Sequence, residues 1–213
     1  MGKDELRREV SRVYRELAVR GLNIGSAGNV SARSGDRVLI TCSGATGDIT
    51  EDDIVEIDLD GAFAGNLKPS SEWAMHAALY KAAPHAQAVV HTHSDACTAL
   101  ACLGEPLPAF HYMVLAFGGD AVRCAPYYTF GSPELAEAAA EAIAGSTACL
   151  LANHGMICHG RSPQAALDTA QRLEVLSRQY LLARSVGQPQ ILGPAEIADA
   201  RARFTTYGRR TAT

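Results

Sequence analysis

The sequence predicts a single α/β domain, and two observations carry that prediction. The chain has 213 residues, of which 47% are hydrophobic, and this size and composition suit one compact domain with a substantial core. Segments with apolar residues at helical spacing alternate along the chain with short apolar runs that are typical of strands. No internal repeat and no low-complexity linker interrupts this pattern, so we interpret residues 1–213 as one domain.

Local patterns predict the individual elements in chain order. In the first helix, Leu6, Val10, Val13 and Leu17 recur at helical spacing and Gly21 follows as a cap. Two later helices begin at Ser-Pro pairs, where proline suits the first turn. The predicted helices are 3–20, 94–103, 132–144, 162–186 and 194–204. A further helix is predicted to start within 68–73. The predicted strands are 37–41, 54–59, 88–93, 122–125 and 150–154.

Histidines at two strand ends indicate a metal site. His91 and His93 follow an apolar run, and alternation along a strand places both on one side, roughly 6.6 Å apart along the backbone. Taken alone, such a pair is more often two ordinary polar residues at a strand end than a metal site. His154 ends a second apolar run and supplies a third imidazole. Three imidazoles are a common way to hold a catalytic zinc while a fourth position stays open.

Three short polar segments are candidates for anion binding. Residues 25–31 and 42–47 are rich in glycine and small polar residues, so their backbone N–H groups can approach a ligand closely. Ser70, Ser71 and Glu72 precede a helix, where hydroxyls and free amides can face a phosphate. Each segment is also explained by a plain turn or by ordinary helix capping, and local pattern alone does not decide between these interpretations.

Two further histidines are left outside the expected site. His76 follows the third polar segment on a helix and is interpreted, with its neighbours, as a packing or surface residue. His111 is a possible fourth ligand, but adjacent residues of an extended segment face opposite ways. His111 and Tyr112 are therefore not expected to face the metal together.

Composition excludes several functional classes. The net charge is −4 and the isoelectric point is about 6.0, with lysine and arginine scattered along the chain, so we expect neither a nucleic acid nor a membrane surface as partner. No apolar run approaches the ~20 residues of a membrane span. The six cysteines form no CxxC pair and the first residues resemble no secretory signal, which together predict reduced thiols and a cytoplasmic location.

The motifs together resemble the class II aldolase/adducin family. The resemblance runs in order through nearly the whole chain, with similar spacing, and is carried by residues 21–23, 27–31, 40–44, 69–73, 89–93, 111–113, 127–131, 154–155 and 206–208. It implies a three-layer α/β/α domain around a mixed, mostly antiparallel central sheet. It also implies a homotetramer whose active sites lie at the subunit interfaces.

The resemblance also assigns roles to individual residues. It implies Zn²⁺ bound by His91, His93 and His154, with Glu72 both a ligand of the resting metal and the catalytic base. Tyr112 is implied as the proton donor. Tyr207, on the C-terminal tail, is expected to reach the same site, whereas on sequence alone a tail tyrosine is usually unimportant.

A substrate phosphate group is expected to bind through a second set of residues implied by the resemblance. That set is Asn29, Ser43, Gly44, Ser70 and Ser71. The chain departs from the aldolase pattern with serine at 43 in place of threonine and threonine at 92 in place of asparagine. Serine keeps the hydroxyl and Thr92 is expected to point away from the metal, so neither change alters the prediction.

The expected reaction is reversible cleavage of a ketose 1-phosphate, first of all L-fuculose 1-phosphate, to dihydroxyacetone phosphate and an aldehyde, L-lactaldehyde. The family offers alternatives: a sugar-phosphate 4-epimerase, a dehydratase and non-catalytic adducin-like interaction domains. The epimerase carries Ser-Ser-Asp where this chain has Ser-Ser-Glu, and the dehydratase carries a Gln-Glu-Met-like step where this chain has His111-Tyr112-Met113. Adducin-like members lack the three histidines. The aldolase interpretation is therefore favoured.

Overall fold

A mixed seven-stranded sheet forms the centre of the molecule. The computed structural model describes residues 2–204. The strands are β1 (Asn29–Ser34), β2 (Arg37–Thr41), β3 (Ile54–Ile57), β4 (Ala88–Thr92), β5 (Leu107–Pro108), β6 (Ala121–Val122), β7 (Cys124–Ala125), β8 (Ala148–Leu151) and β9 (Gly155–Gly160). The sheet order is β3-β2-β1-β4-β9-β8-β7, and only β7 and β8 are parallel neighbours. The short strands β5 and β6 pair separately.

Helices cover both faces of this sheet. They are α1 (Lys3–Val19), α2 (Trp73–Ala82), α3 (Asp95–Ala101), α4 (Pro133–Ile143), α5 (Pro163–Val186) and α6 (Pro194–Phe204), with 3₁₀ helices at Glu51–Asp53 and Tyr112–Phe117. One buried apolar cluster joins α1, α3 and α5 to one face, and a second joins α2 and α4 to the other. The helix α6 packs on the second 3₁₀ helix. These layers confirm the expected three-layer α/β/α architecture and the mostly antiparallel sheet.

Most predicted helix ends are confirmed by the contacts that form them. The helix α1 buries Val10, Val13 and Leu17, and Gly21 follows it with φ +69°, a conformation that favours glycine. Ser132 and Ser162 cap α4 and α5, since each hydroxyl accepts a 3.1 Å hydrogen bond from the backbone N–H three residues later. Such caps satisfy donors that the first helical turn leaves unpaired.

The predicted helix 94–103 is shorter in the structure, and its cap comes from elsewhere in the chain. The Ser94 side chain makes no capping hydrogen bond to α3. Instead the buried carboxylate of Glu174, on α5, accepts 2.9 Å hydrogen bonds from the N–H groups of Ala96 and Cys97. A contact between residues so distant in sequence leaves no local pattern.

Several strand predictions also differ from the structure. The strand predicted at 150–154 corresponds to β8, which ends at Leu151, so that His154 lies in the turn that follows. The strand predicted at 54–59 ends at Ile57. The strand predicted at 122–125 is interrupted at Arg123, because β6 pairs with β5 while β7 pairs with β8. The change of partner explains the break, which the apolar character of the segment does not reveal.

The centre of the sheet determines where the strand-end histidines lie. Asn29 on β1 is directly opposite His91 on β4, and directly opposed residues project from the same face of a sheet. His91 also shares that face with Val89, which packs in the cluster formed with α2 and α4. A tight turn joins β8 to β9, with Asn153 at φ +54°, and places His154 beside the end of β4.

Candidate metal centre and active site

Four side chains meet at the end of β4. Glu72, His91, His93 and His154 each offer one ligand atom, and these atoms all lie within 4.8 Å of one another. His91 belongs to β4, His93 follows it, His154 lies in the turn before β9, and Glu72 immediately precedes α2. The structure therefore brings together the four residues expected to bind metal.

The three imidazoles converge on one point. The ring centroids of His91, His93 and His154 are 4.8 to 4.9 Å apart, and the Nε2 atoms of His91 and His93 are 2.9 Å apart. The Nδ1–H of His91 donates a 2.8 Å hydrogen bond to the carbonyl of Met156. In a neutral ring this bond leaves the Nε2 lone pair free for a metal.

The low pKa of His93 favours its neutral form, which is the form that binds a metal. Burial, together with the neighbouring imidazoles of His91 and His154, lowers the pKa of His93 to about 4. A neutral imidazole presents a lone pair, whereas a protonated one repels a cation. At pH 7 this side chain is therefore ready to bind a metal ion.

The carboxylate of Glu72 faces the same point. Its Oε2 atom lies 3.1 Å from His91 Nε2, and its Oε1 atom lies 3.3 Å from His154 Nε2. Burial acts to raise the pKa of Glu72, but positive charge at the facing nitrogens of His91 and His154, where a cation would also lie, outweighs it and lowers the pKa below its ordinary value. The carboxylate is therefore ionised at neutral pH.

The donor set fits a divalent cation. Glu72 is 6% exposed, and within residues 2–204 no group donates a hydrogen bond to its buried Oε1 atom, although His154 Nε2 lies 3.3 Å away. A buried, unpaired carboxylate oxygen is costly unless something compensates its charge. A cation held between this oxygen and three imidazole nitrogens compensates it, and nitrogen-rich sets of this kind suit Zn²⁺ better than Mg²⁺.

Two glycines allow the backbone to approach this cluster. A Cβ atom on Gly155 would lie 2.3 Å from the Thr92 carbonyl oxygen, and one on Gly28, which has φ +81°, would lie 2.7 Å from the His91 carbonyl oxygen. Both distances are shorter than atoms tolerate. Any larger residue at either position would therefore displace the strand end that carries the histidines.

A cavity opens beside the cluster and is lined by all five residues expected to bind phosphate. Its lining residues are Ser26, Ala27, Gly28, Asn29, Cys42, Ser43, Gly44, Ser70, Ser71, Glu72, His93 and Phe130. No lysine or arginine lines it among the residues that the structure describes. An anion in this cavity would therefore be held by hydroxyl, amide and backbone N–H groups, as at other loop and helix-terminal sites.

The predicted helix start contributes in two ways. The Ser70 hydroxyl accepts a 3.3 Å hydrogen bond from the N–H of Glu72, which is part of the ordinary turn chemistry expected there. The Glu72 side chain, however, makes no capping hydrogen bond to α2. Its carboxylate is directed into the cluster, so helix capping does not explain this residue.

His111 and Tyr112 do not line the cavity of their own chain. The prediction of an extended backbone holds for His111 and is wrong for Tyr112, which begins a 3₁₀ helix. His111 caps this helix, since its side chain accepts a hydrogen bond from Met113 N–H. The two rings stack with centroids 4.7 Å apart. Tyr112 is 52% exposed and does not line the cavity of its own chain. Tyr207 lies outside the described residues.

Sequence interpretation missed one buried histidine and one aromatic residue. His76 is fully buried and bonded to Asn29 and Ser31, although its position on a helix suggested packing or the surface. Phe130 lines the cavity while remaining 67% exposed. The i, i+4 spacing of Glu72 and His76 is the one signal that could have linked the histidine to the site.

Fold and site together define an α/β/α domain in which a cluster able to hold a metal ion lies beside a cavity lined by small polar residues. Within residues 2–204, no helix combines the length and the apolar character needed to cross a membrane. The model of the Class II Aldolase and Adducin N-terminal domain family matches residues 8–181.

Similar proteins agree with this class. The 5-methylthioribulose-1-phosphate/5-deoxyribulose-1-phosphate aldolase of Rhodospirillum rubrum is 46% identical over 204 residues, which are 95% of this chain and 92% of that protein. The L-fuculose phosphate aldolase of Escherichia coli is 42% identical over 212 residues, 99% of each chain. A solved L-fuculose 1-phosphate aldolase is similar with a TM-score of 0.90 and 36% identity, over 96% of this chain and 98% of that one.

The chain therefore belongs to the class II aldolase/adducin family. It is an enzyme, a lyase of the class II aldolase type.

Proposed function

We propose that this enzyme reversibly cleaves a ketose 1-phosphate to dihydroxyacetone phosphate and an aldehyde, with zinc as its metal. The observation that carries the proposal is that the histidine and glutamate cluster adjoins the cavity. Glu72 and His93 belong to the cluster and also line the cavity. Asn29 lines the cavity and donates a hydrogen bond to Glu72. The first candidate substrate is L-fuculose 1-phosphate, which would give L-lactaldehyde. The relatives named for L-fuculose phosphate support it.

His91, His93, His154 and Glu72 are the residues that would hold the metal. A bound divalent cation supplies Lewis-acid stabilisation of the negative charge that develops on substrate oxygens, in place of a lysine Schiff base. Zinc is proposed because three neutral imidazoles and one carboxylate are typical of its protein sites.

Glu72 is proposed as the base and Tyr112 as the partner acid. In the synthetic direction the Glu72 carboxylate takes a proton from the hydroxymethyl carbon of dihydroxyacetone phosphate, and Tyr112 gives a proton to the aldehyde oxygen as the carbon–carbon bond forms. Cleavage reverses both transfers. Asn29 Nδ2 donates a 3.1 Å hydrogen bond to Glu72 Oε2, which fixes the direction in which the carboxylate faces. Positioning of this kind lowers the barrier by aligning the reacting atoms.

The phosphate group of the substrate is proposed to lie against Asn29, Ser43, Gly44, Ser70 and Ser71. We predict that replacing Ser70 and Ser71 together by alanine weakens phosphorylated substrates strongly and leaves the poor reaction of unphosphorylated analogues nearly unchanged. Each hydrogen bond lost to a charged group is worth roughly 1.5–3 kcal/mol. The measurement is kcat/KM for both substrate types.

Ser162→Ala is the matched control for the serine variant. Ser162 caps α5 through a hydrogen bond from Ala165 N–H and lies outside the cavity. Its loss should lower the melting temperature, since a cap is worth roughly 0.5–2 kcal/mol, and leave both rates intact. Equal losses on the two substrate types in the double variant would mean that the serines only build the helix start.

Tyr112 is proposed to act on the active site of a neighbouring subunit in a homotetramer. It is exposed and lies outside the cavity of its own chain, and the family resemblance implies sites at subunit interfaces. We predict that Tyr112→Phe slows cleavage roughly 10²- to 10⁴-fold by removing an acid–base group. Proton exchange at the hydroxymethyl carbon, which requires Glu72 and not Tyr112, should largely remain. Isotope exchange and turnover measured on one preparation check this.

Subunit mixing tests the interface. Tyr112→Phe and Glu72→Gln chains, each inactive in turnover, should recover some activity after subunit exchange, because a shared site draws one intact residue from each parent. Verified mixed oligomers without recovered activity would place each site within one chain. Tyr207 is proposed to reach the same site, and truncation before position 205 should raise KM without changing the zinc content.

A second candidate substrate is 5-methylthioribulose 1-phosphate or 5-deoxyribulose 1-phosphate. The specific observation in its favour is the relative from Rhodospirillum rubrum named for both compounds, at 46% identity. These ketose phosphates differ from L-fuculose 1-phosphate beyond the bond that breaks. A panel of ketose 1-phosphates, with coupled detection of dihydroxyacetone phosphate, ranks them by kcat/KM.

The same panel tests the other family activities. An epimerase would change the substrate without releasing dihydroxyacetone phosphate, a dehydratase would release water, and an adducin-like domain would leave every substrate intact. Release of no dihydroxyacetone phosphate from any substrate by the zinc-loaded enzyme would overturn the proposed function. We also propose a cytoplasmic location, because all six cysteines are free thiols and such proteins suit a reducing compartment.

A further inference from the structure

A continuous line of buried polar side chains runs from Glu72 into the layer between the sheet and α2. Asn29 and Ser31 are two residues apart on β1, and His76 and Tyr80 follow Glu72 at spacings of four on α2. The strand period of two and the helix spacing of four place each set on one face. All five side chains are at most 6% exposed, so a polar ladder lies between the strand and the helix.

The hydrogen bonds in this ladder have one consistent direction. The Asn29 Nδ2–H donates to Glu72 Oε2 at 3.1 Å, which leaves the amide Oδ1 as an acceptor for His76 Nε2 at 2.5 Å. His76 Nε2 therefore carries the proton, because an amide oxygen cannot donate. His76 Nδ1 is then the acceptor for the Ser31 hydroxyl at 2.7 Å, and Ser31 accepts from the Tyr80 hydroxyl at 2.9 Å.

We propose that His76 is a positioning residue for the proposed aldolase reaction, holding the Asn29 amide in the one orientation that directs its N–H group at Glu72. The proposal rests on the proposed function, in which Glu72 is the base. A flipped amide would turn an oxygen toward the carboxylate, and two acceptors would then face each other. His76 prevents the flip because its Nε2–H requires an oxygen on its side of Asn29.

The surroundings of His76 keep it in the form that this role needs. Burial, the largest cause, lowers the pKa of His76 to about 3 against the raising effect of the Glu72 charge, so the ring is neutral and carries a single N–H. The ionised Glu72 carboxylate can only accept, so the Asn29 N–H group faces Glu72 and the amide oxygen faces His76 Nε2–H. The Ser31 hydroxyl is then the donor to His76 Nδ1. Tyr80 lies in turn under the guanidinium of Arg33, 4.8 Å from the ring centroid.

The test compares two amide replacements. The Nε2 of glutamine reaches the position of the histidine Nε2, so His76→Gln keeps the donor to Asn29. His76→Asn carries the same group one carbon shorter and cannot reach. We expect His76→Asn to lower kcat and proton exchange roughly 10- to 100-fold, as for other residues that orient a reactive group. KM should change less than kcat, because Ser43, Gly44, Ser70 and Ser71 line the cavity without a hydrogen bond to His76. His76→Gln should recover most of the lost rate.

A double variant at His76 and Asn29 distinguishes a positioning role of His76 from a general packing defect. If His76 acts through Asn29, His76→Asn should slow the Asn29→Ala enzyme little further. The matched control is His159→Asn, a change at a buried histidine of β9 that bonds the Ser146 carbonyl. That control should alter the melting temperature and not kcat. Zinc content is measured in every variant so that rates refer to metal-loaded enzyme.

Three results distinguish the possible failures. Equal kcat for His76→Gln and His76→Asn, or additive effects with Asn29→Ala, would overturn the positioning role. Nitrogen NMR of the wild-type holoenzyme should show His76 as the Nε2–H tautomer. Detection of the Nδ1–H tautomer or of a protonated His76 would overturn the positioning role. This measurement depends neither on activity nor on the folding of the variants. A wild-type enzyme that releases no dihydroxyacetone phosphate would instead remove the proposed function on which the role depends.

Discussion

Alanine at His91, His93 or His154 is expected to remove bound zinc and aldolase activity together. Each ring supplies one of the ligand atoms that lie within 4.8 Å of one another, and a carboxylate with two imidazoles leaves the cation one ligand short of the expected set. For His91 the change also leaves the Met156 carbonyl without its donor. Elemental analysis and turnover on the same preparation check both losses.

His159→Ala is the control for the histidine variants. His159 is also buried, on the neighbouring strand β9, but it lies outside the cluster. It should keep the wild-type zinc content at a lowered melting temperature. Chelation of the wild-type enzyme should likewise abolish activity, and added Zn²⁺ should restore it. Full zinc occupancy in a triple alanine variant would contradict the assignment.

Cys97 and Cys158 do not belong to the group of ligand atoms at the end of β4. Burial raises the pKa of Cys97 and of Cys158 well above the ordinary range, and zinc binds the thiolate form. Both residues lie in the apolar cluster that α1, α3 and α5 form with the sheet. His91 faces the other side, towards α2.

The strand-end histidines were predictable because the signal is local. One apolar run is followed by His91 and His93, and a second is followed by His154. Each run predicts a strand, and the histidines mark the region where the strand ends. Convergence of the two runs is a tertiary fact: β4 and β9 are antiparallel neighbours, and the turn after β8 carries His154 back to them. Spacing predicts the ligands, but not the strand order that joins them.

Residues whose role depends on a distant partner were not predictable from local pattern, and the role of Glu72 came from the family resemblance alone. Glu72 looks like a first-turn carboxylate in sequence, and its inward direction follows from contacts with residues 19 to 82 positions away. His76 acquires its partners from β1, which is more than forty positions earlier. In the same way, nothing local indicates that Glu174 caps α3. The helical and strand periods predict on which face of its element a side chain lies. Which other element packs against that face depends on the topology of the fold.

Glu72→Gln is expected to keep the fold, zinc and most phosphate affinity, but to abolish both turnover and proton exchange at the hydroxymethyl carbon of dihydroxyacetone phosphate. The amide has nearly the shape of the carboxylate and can still accept the Asn29 hydrogen bond, but it cannot take up a proton. Loss of a general base costs roughly 10²- to 10⁴-fold. Turnover, isotope exchange and bound zinc are measured together, so that a loss of metal is not mistaken for a loss of the base.

A helix-capping role for Glu72 predicts a different result. Removing a favourable charge from a first turn would cost roughly 0.3–1 kcal/mol of stability and leave the rate largely intact. Glu174→Gln is the matched control, since Glu174 is a buried carboxylate that does cap a helix. We expect that variant to melt earlier with kcat retained, and Glu72→Gln to show the opposite pattern. Proton exchange near the wild-type rate in zinc-loaded Glu72→Gln would remove Glu72 from the mechanism, because no other step of the proposed reaction draws a proton from that carbon.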